Sequence, residues 1–189
     1  MIFVTSDLHF CHDKAFLYEP RGFHSVREMN AAIVKNWNNV VNPEDDVYVL
    51  GDLMLNDNEE GARLLSMLHG HLHIILGNHD TKARIELYKQ SPNVVEVCDA
   101  KRLDYLGYHF FLCHYPTLTS NHDSDKPLAA RLISLCGHTH TPDRFCDWDK
   151  GYIYHCELDA HNNYPEMLEN IIVDLQKKIQ EDFRRTIPW

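Results

Sequence analysis

Short apolar runs alternate with helical patterns through the first ninety residues of the chain. Runs at residues 2–4, 47–50 and 74–76 are rich in Val, Ile, Leu and aromatic side chains, which is typical of buried strands. Helical patterns lie between these runs, and a further one follows the third. Because parallel strands are joined by long crossover connections that are usually helical, this alternation predicts βαβ units with a parallel sheet.

The helical segments are marked by apolar stripes and by capping residues. The clearest helix begins at Ser25, where Ser25 and Glu28 have the spacing of a capping box. Further helices are predicted over residues 59–68 and 82–88, and Pro165 is expected to open a last one, since proline is tolerated in a first helical turn. Residues spaced three and four apart form the stripes of the first and last helices: Met29, Ile33, Trp37 and Val40, then Leu168, Ile171, Leu175 and Ile179.

The middle of the chain has a different pattern, made of adjacent short strands. Runs at residues 94–97, 101–105 and 108–113 follow one another closely, and Leu106-Gly107 is a turn signal between the last two. Later strands are expected at residues 132–136 and 152–156. The number and order of these strands predict two packed sheets with helices outside, within a single domain over residues 1–189.

Composition and charge limit the classes of protein to which this chain can belong. The chain has 189 residues, 44% of them hydrophobic and 24% charged, which is ordinary for a globular protein of one domain. No apolar stretch approaches the roughly 18 residues that cross a bilayer, and strand residues begin at the N-terminus, so we expect no cleaved signal and a cytoplasmic location. The formal net charge of -10 argues against broad binding to nucleic acid or an anionic membrane. It leaves room for a phosphate substrate, because bound cations invert the local potential.

The six cysteines show no CxxC pair and no regular spacing. Cys98, Cys113 and Cys136 stand in apolar, strand-like surroundings. They are expected to be buried thiols rather than parts of a disulfide framework or a zinc knuckle.

Five short blocks of metal-ligand residue types follow the predicted strands. They are Asp7-Leu8-His9, Gly51-Asp52, Gly77-Asn78-His79-Asp80, Cys113-His114 and Gly137-His138-Thr139-His140. The carboxyl ends of parallel strands meet on one rim, so these distant blocks are expected to converge there. Aspartate, asparagine and histidine together suit divalent metals such as Mn, Fe or Zn.

Taken singly, each block has an ordinary alternative explanation. Gly51-Asp52 is also a turn signal, and Asp80 could cap the helix that follows it. For Asp7 and His9, residues two apart on a pleated strand face the same side, which would favour chelation. Read together, the blocks predict a dinuclear hydrolytic site.

The order of the blocks resembles the calcineurin-like metallophosphoesterase superfamily, whose pattern runs D-x-H, G-D, G-N-H-[DE], H and G-H-x-H. Every motif position is matched between residues 7 and 140. The opening from Asp7 to His12 and the later Asn163-Tyr164-Pro165 are similar to small single-domain phosphoesterases of bacteria and phages. This resemblance implies an α/β fold, a four-layer sandwich of two mixed β-sheets flanked by helices.

The resemblance also implies roles for individual residues. Two divalent metal ions are expected, with Mn favoured and Fe, Zn, Ni or Mg as alternatives. Asp52 would bridge the two metals, and a metal-bridging hydroxide would attack phosphorus in line, with His79 aiding the leaving group. The implied ligands are Asp7, His9, Asp52 and His140 for one metal, and Asp52, Asn78, His114 and His138 for the other.

Departures from the family pattern narrow the range of expected substrate classes. Leu-Met-Leu-Asn follows Gly51-Asp52 in place of the Asp-Arg-Gly continuation of protein phosphatases, so protein phosphatase activity is not expected. The net charge of -10 also argues against a processive nuclease, and a small phosphodiester, such as a nucleotide, is the expected substrate. A phosphomonoesterase or nucleotide phosphatase, or a non-catalytic scaffold with the same fold, are the alternatives. His12, Arg21 and Asn78 are candidate substrate contacts. Pocket walls are expected from residues 10–23, 54–60 and 115–128. No stable binding to nucleic acids or membranes is expected, and the sequence leaves the oligomeric state open.

One histidine tract is assigned no chemistry. His69, His71 and His73 precede the third strand, at the opposite end from the site, and are expected to be solvated turn residues.

Overall fold

Nine strands form two mixed sheets among the residues that the structure describes. In this computed structural model these are residues 1–119, 126–147 and 152–186, with side chains up to residue 181. Residues 120–125 of the predicted pocket wall therefore lie outside the described part of the chain.

The first sheet is built mainly from the βαβ units of the N-terminal half. Its strand order is β4-β3-β2-β1-β9, in which β1 to β4 run parallel and β9 runs antiparallel to β1. The strands are β1 (Ile2–Thr5), β2 (Asp46–Val49), β3 (His71–Ile75), β4 (Val94–Cys98) and β9 (Glu166–Met167).

Within the described residues, five α-helices connect or follow these strands, and every helix that the sequence predicts is present. The helices are α1 (Ala15–Tyr18), α2 (Val26–Val40), α3 (Asn58–Ser66), α4 (Lys82–Gln90) and α5 (Leu168–Thr186). Before α2, the Ser25 hydroxyl accepts from the Glu28 N–H at 3.2 Å, as predicted. The Glu28 carboxylate accepts from the N–H of His24 at 2.8 Å, one residue earlier than in a standard capping box.

The second sheet has the strand order β5-β6-β7-β8. Its strands are β5 (Ala100–Tyr105), β6 (Tyr108–Cys113), β7 (Leu132–Cys136) and β8 (Ile153–His155). The hairpin between β5 and β6 turns through Leu106 and Gly107, whose φ angles of 49° and 79° are the positive values that both central residues of a two-residue type I′ turn require. The remaining pairs, β6 with β7 and β7 with β8, are parallel.

The first sheet has an apolar core on each face. Val47 and Val49 belong to the cluster that α2 and α3 cover, whereas Tyr48 and Leu50 belong to the cluster that the second sheet and α5 cover. This two-sided burial explains why β2 is an unbroken apolar run rather than an alternating one. The predicted fold class, two mixed sheets flanked by helices, is confirmed.

Two local predictions are wrong. Pro165 does not open the last helix: Glu166 and Met167 pair with β1 as a short antiparallel strand, and α5 begins only at Leu168, where its apolar stripe begins. His71 and His73 lie within β3 rather than in a turn, because the strand extends to the amino end of its parallel partner.

A candidate metal centre at the rim of the two sheets

The loops that follow β1 and β2 are joined by backbone hydrogen bonds. The Leu50 N–H donates to the Thr5 carbonyl at 2.8 Å, the Asp7 N–H to Gly51 at 3.1 Å, and the His9 N–H to Asp52 at 3.0 Å. The pairing of the two strands thus continues past their ends. It holds the first two sequence blocks side by side.

The backbone of this rim is left-handed at the candidate ligands. Asp7, His9, Asp52, His138 and His140 have φ angles of 58°, 50°, 56°, 78° and 51°. Left-handed backbone costs a non-glycine residue about 1–2 kcal/mol, and such residues cluster at functional sites. The expected pleated geometry for Asp7 and His9 is therefore wrong: β1 ends at Thr5, and alternating left-handed residues aim the two side chains.

Two glycines of the sequence blocks are required by close approach. A Cβ at Gly77 would overlap the Asp52 carboxylate, and a Cβ at Gly137 would overlap Ser6 and Asp7. These positions explain why glycine precedes Asn78 and His138: each loop passes directly over an acidic candidate ligand.

One group of donors forms around Asp7. Its Oδ1 lies 3.5 Å from Nε2 of His9 and 3.5 Å from Nε2 of His140, and the two imidazole nitrogens are 3.0 Å apart. Its Oδ2 accepts from the Ser6 hydroxyl and from the His138 N–H. Oδ1, by contrast, is buried and has no hydrogen-bond partner among the described residues.

A second group of donors forms around His114. Its Nε2 lies 2.8 Å from Asn78 Oδ1 and 3.2 Å from His138 Nδ1. Its Nδ1 lies 2.7 Å from the Leu50 carbonyl, an acceptor that requires Nδ1 to carry the proton and leaves Nε2 with its lone pair.

Asp52 lies between the two groups. Its Oδ2 is 3.8 Å from His9 Nε2 and 3.6 Å from His114 Nε2, while its Oδ1 accepts from the His79 N–H at 2.9 Å. All seven predicted ligands are thus brought together, with Asp52 between the two groups. Their assignment to individual metals stays a prediction.

Comparison with known proteins agrees with this geometry. A family model described as the calcineurin-like phosphoesterase superfamily domain matches residues 1–158. This protein belongs to the calcineurin-like phosphoesterase superfamily.

Several similar proteins are known from sequence and structure. An uncharacterized protein of Methanocaldococcus jannaschii is 40% identical over 141 residues, covering 74% of this chain and 69% of that protein. The gene 66 protein of Mycobacterium phage L5 is 28% identical over 160 residues, covering 73% and 76%. A crystal structure of a protein of unknown function from Aquifex aeolicus superposes with a TM-score of 0.70 at 23% identity, covering 93% of this chain and 98% of that one, and shows the same fold.

Membership of this superfamily implies a hydrolase of phosphate esters, and its members typically bind divalent metals. The two donor groups are candidate sites for such ions, since aspartate, asparagine and neutral imidazole are suitable ligands.

No helix within the described ranges is long and apolar enough to cross a membrane.

The charges of the rim favour a cation. Burial raises the pKa of Asp52, and the neighbouring Asp7 carboxylate adds to this rise against the opposing effect of the His79 N–H and the His114 ring. Burial also lowers the pKa of His9 below its usual value, despite the Asp7 carboxylate. Burial would raise the pKa of the Asp7 carboxyl, but the His9 ring and the other nearby imidazoles outweigh burial and lower it. A divalent ion would stabilise both carboxylates in their charged form and would bind the neutral ring of His9.

A carboxylate outside the sequence blocks orients His140. Asp159 Oδ2 lies 3.2 Å from His140 Nδ1, so that Nε2 faces Asp7 and His9. Burial lowers the pKa of His140, but the Asp159 and Asp7 carboxylates outweigh burial and raise it above its usual value. Asp159 was not predicted as a site residue, because a lone acid nineteen residues from its partner has no motif spacing.

Arg21 is not placed to contact a substrate, contrary to expectation. Its buried guanidinium donates to both oxygens of Asp159, at 3.0 and 2.7 Å, and to the backbone carbonyls of Asp7 and Leu8. With these donors committed and its side chain fully buried, Arg21 holds the first ligand loop and the orienting carboxylate in place.

Asp80 does not cap the helix that follows it. Its Oδ2 accepts from the N–H groups of Asp52 and Gly77, at 3.0 and 2.8 Å, and its Oδ1 accepts from the Tyr88 hydroxyl at 2.6 Å. The last position of the G-N-H-D block therefore ties two ligand loops together, while Thr81 takes the cap position of α4.

The two donor groups open into a pocket of about 510 Å³. His12 and His79 line it beside the candidate ligands, with ring centroids 6.5 Å apart. Burial, with the nearby His9 and His79 rings, lowers the pKa of His12 to about 4, so its ring is neutral at neutral pH.

A larger groove of about 610 Å³ between α2 and α3 contains none of the predicted site residues, so volume alone does not mark the site.

Proposed function

We propose that this protein is a phosphoesterase that uses two divalent metals to hydrolyse small phosphodiesters. The observation that carries the proposal is the buried Oδ1 of Asp7, which lacks a hydrogen-bond partner among the described residues and faces two imidazole nitrogens at 3.5 Å. A buried carboxylate oxygen without a partner is costly, and a divalent cation would satisfy it together with both rings. The residues present therefore fit the metals that the superfamily implies.

Each donor group would hold one ion. Asp7, His9 and His140 would bind the first, and Asn78, His114 and His138 the second, with Asp52 Oδ2 shared between them. Such a pair of ions would supply Lewis acidity toward the phosphate and toward water.

His79 is the chain's own candidate for proton transfer. Its backbone N–H is fixed to Asp52, whereas its ring remains 43% exposed at the pocket, with Nε2 3.9 Å from Asp52 Oδ2. An imidazole there can donate to a non-bridging phosphate oxygen and then give a proton to the departing alkoxide. His12 and Asn78 complete this wall, and we assign them contacts to the substrate.

The pocket favours a diester over a monoester. Its described lining contains no lysine or arginine, and Phe16, Leu17, Pro20 and Leu55 supply an apolar wall. A monoester is a dianion at neutral pH, and sites for it usually add cationic side chains. A diester carries a single negative charge and has a second ester group, which the apolar wall can accommodate.

The remaining expectations from the sequence stay proposals. They are a cytoplasmic location, a small phosphate ester as the ligand, Mn as the favoured ion, and the absence of stable nucleic-acid or membrane contacts.

The test is a substrate panel against the metal-free protein reloaded with Mn, Ni, Zn or Mg. Bis-p-nitrophenyl phosphate, p-nitrophenyl phosphate and cyclic nucleotides separate diesters from monoesters. We expect turnover to require metal and kcat/KM to be higher for the diesters. Preference for p-nitrophenyl phosphate would overturn the diester assignment, and no turnover of any ester with two bound ions would favour the scaffold alternative.

A further inference from the structure

A second cluster of metal-ligand side chains lies behind the histidine block of the rim. Nε2 of His155 is 3.1 Å from Cys146 Sγ and 3.0 Å from Asp147 Oδ2, and the sulfur is 3.5 Å from that oxygen. His155 is fully buried on β8, whereas Cys146 is exposed. The cluster shares no residue with the candidate metal centre.

These separations are close to those of donors around one tetrahedral ion. Bond lengths of about 2.3 Å to sulfur and 2.0–2.2 Å to nitrogen or oxygen imply donors roughly 3.3–3.6 Å apart. The three distances lie within about half an ångström of that range. Thiolate, imidazole and carboxylate together are ligands that favour zinc over magnesium or calcium.

The orientation of His155 is that of a metal-binding histidine. Its Nδ1 faces the buried carboxylate of Glu157 at 3.2 Å, so Nε2 points at Cys146 and Asp147. His140 has the same arrangement, with Nδ1 on Asp159 and Nε2 toward the donors. An acidic partner on the far nitrogen is the usual support of a zinc-bound imidazole.

Three metal-ligand atoms face one another in this cluster. The Cys146 sulfur and the Asp147 oxygen lie at nearly equal distances from Nε2 of His155, and the thiol donates to that oxygen when no ion is bound. A cation at their common centre would contact all three.

We propose that Cys146, Asp147 and His155 form a third metal site, of zinc type, with solvent completing the coordination on the exposed side of Cys146. One thiolate and one carboxylate balance the charge of a divalent ion, and the imidazole binds as a neutral ligand. Burial, together with the Asp147 carboxylate, raises the pKa of the Cys146 thiol, so the ion must displace the thiol proton to solvent. Binding should therefore release protons and strengthen as pH rises.

The site is connected to the candidate metal centre through one acidic residue. Glu157 Oε1, which faces His155, also accepts from the N–H and the hydroxyl of Thr139, at 3.1 and 2.8 Å. Thr139 stands between His138 and His140. An ion on His155 would thus hold the loop that presents both histidines.

Cobalt substitution tests the proposal independently of activity. A thiolate bound to Co²⁺ gives a near-ultraviolet charge-transfer band, and no predicted ligand of the rim is a cysteine. We expect the metal-free full-length protein titrated with Co²⁺ to develop this band, elemental analysis to give three ions per chain, and excess Zn²⁺ to bleach it. Cys146→Ser should lose the band and one ion while retaining two.

Cys98→Ser is the matched control, since it removes a half-buried thiol at the end of β4 and should keep both the band and three ions. Two results would overturn the proposal: no thiolate band at saturating Co²⁺, or an undiminished band in Cys146→Ser. The cluster would then be a hydrogen-bonded one in which His155 carries a proton between its acidic neighbours. Since Cys146 is exposed, its substitution is not expected to prevent folding.

Discussion

The first sheet carries histidines at both of its ends, and the two ends differ in what each ring nitrogen faces. At the amino end, His73 on β3 has Nε2 2.9 Å from Asp46 and Nδ1 3.0 Å from Glu96, and its ring stacks on Tyr48. At the carboxyl rim, Nε2 of His9 faces Nε2 of His140 at 3.0 Å.

The backbone conformation of the histidines also differs between the two ends of the sheet. His71 and His73 lie in β3 without left-handed backbone, whereas His9, His138 and His140 are left-handed. At the amino end each ring nitrogen of His73 faces a carboxylate oxygen, and no second imidazole faces it among the described contacts. At the rim the donors face one another around an unpartnered carboxylate oxygen, and the fold maintains strained backbone to keep them there. Convergence of donors, not the number of histidines, distinguishes a candidate metal centre from a solvated cluster.

The largest effect is expected at the shared carboxylate. Asp52→Ala removes the carboxylate that lies between both donor sets, so the protein should lose both rim metals and turnover should fall on the order of 10³-fold. Elemental analysis and kcat for a diester would measure this, with circular dichroism as the control for folding. Retention of two rim ions would show that Asp52 does not bridge.

A smaller loss, confined to the chemical step, is expected at His79. His79→Ala should keep the metal content and lower kcat by about 10²-fold, because a positioned acid is lost. The loss should grow as the leaving group becomes more basic, since a poor leaving group needs its proton more. A series of aryl diesters measures the slope. If His79→Ala and wild type had the same slope, His79 would not protonate the leaving group.

The sequence predicts the fold and the candidate ligands for different physical reasons. Apolar stripes such as that of Met29, Ile33 and Trp37 follow from helix geometry, and burial confirms them. The ligand blocks are readable because each occupies consecutive or near-consecutive positions after a strand. Glycines at 77 and 137 belong to the same signal, since a side chain there would overlap an acidic ligand.

The supporting residues could not be identified in this way. Asp159 and Arg21 contact each other across 138 positions, and neither stands in a block. Their pairing depends on how the chain after β8 returns to the first loop, which is a property of the tertiary fold. The same holds for Glu157, whose side chain joins His155 to Thr139.

A moderate effect is expected where an acid orients a ligand. Asp159→Asn preserves size but weakens the contact to His140 Nδ1 and the ion pair with Arg21, so metal affinity should fall by about 10–100-fold. Competition with a chelator of known affinity measures this loss. Asp143→Asn, at an exposed acid nearby, is the matched control and should leave affinity unchanged. If Asp159→Asn and wild type bound metal with equal affinity, Asp159 would not orient His140 for metal binding.

The smallest effect is expected at the amino end of the sheet. His73→Ala removes a partly exposed ring whose acidic partners, Asp46 and Glu96, are themselves 45% and 36% exposed. Pairs of this kind are worth about 0–1 kcal/mol, and the stacking on Tyr48 adds a similar amount at most. Urea denaturation should therefore show a small loss of stability, with rim metal content and diesterase kcat equal to those of wild type. Loss of a metal ion on this substitution would mean that the amino-end cluster also binds metal, and the contrast between the two ends would fail.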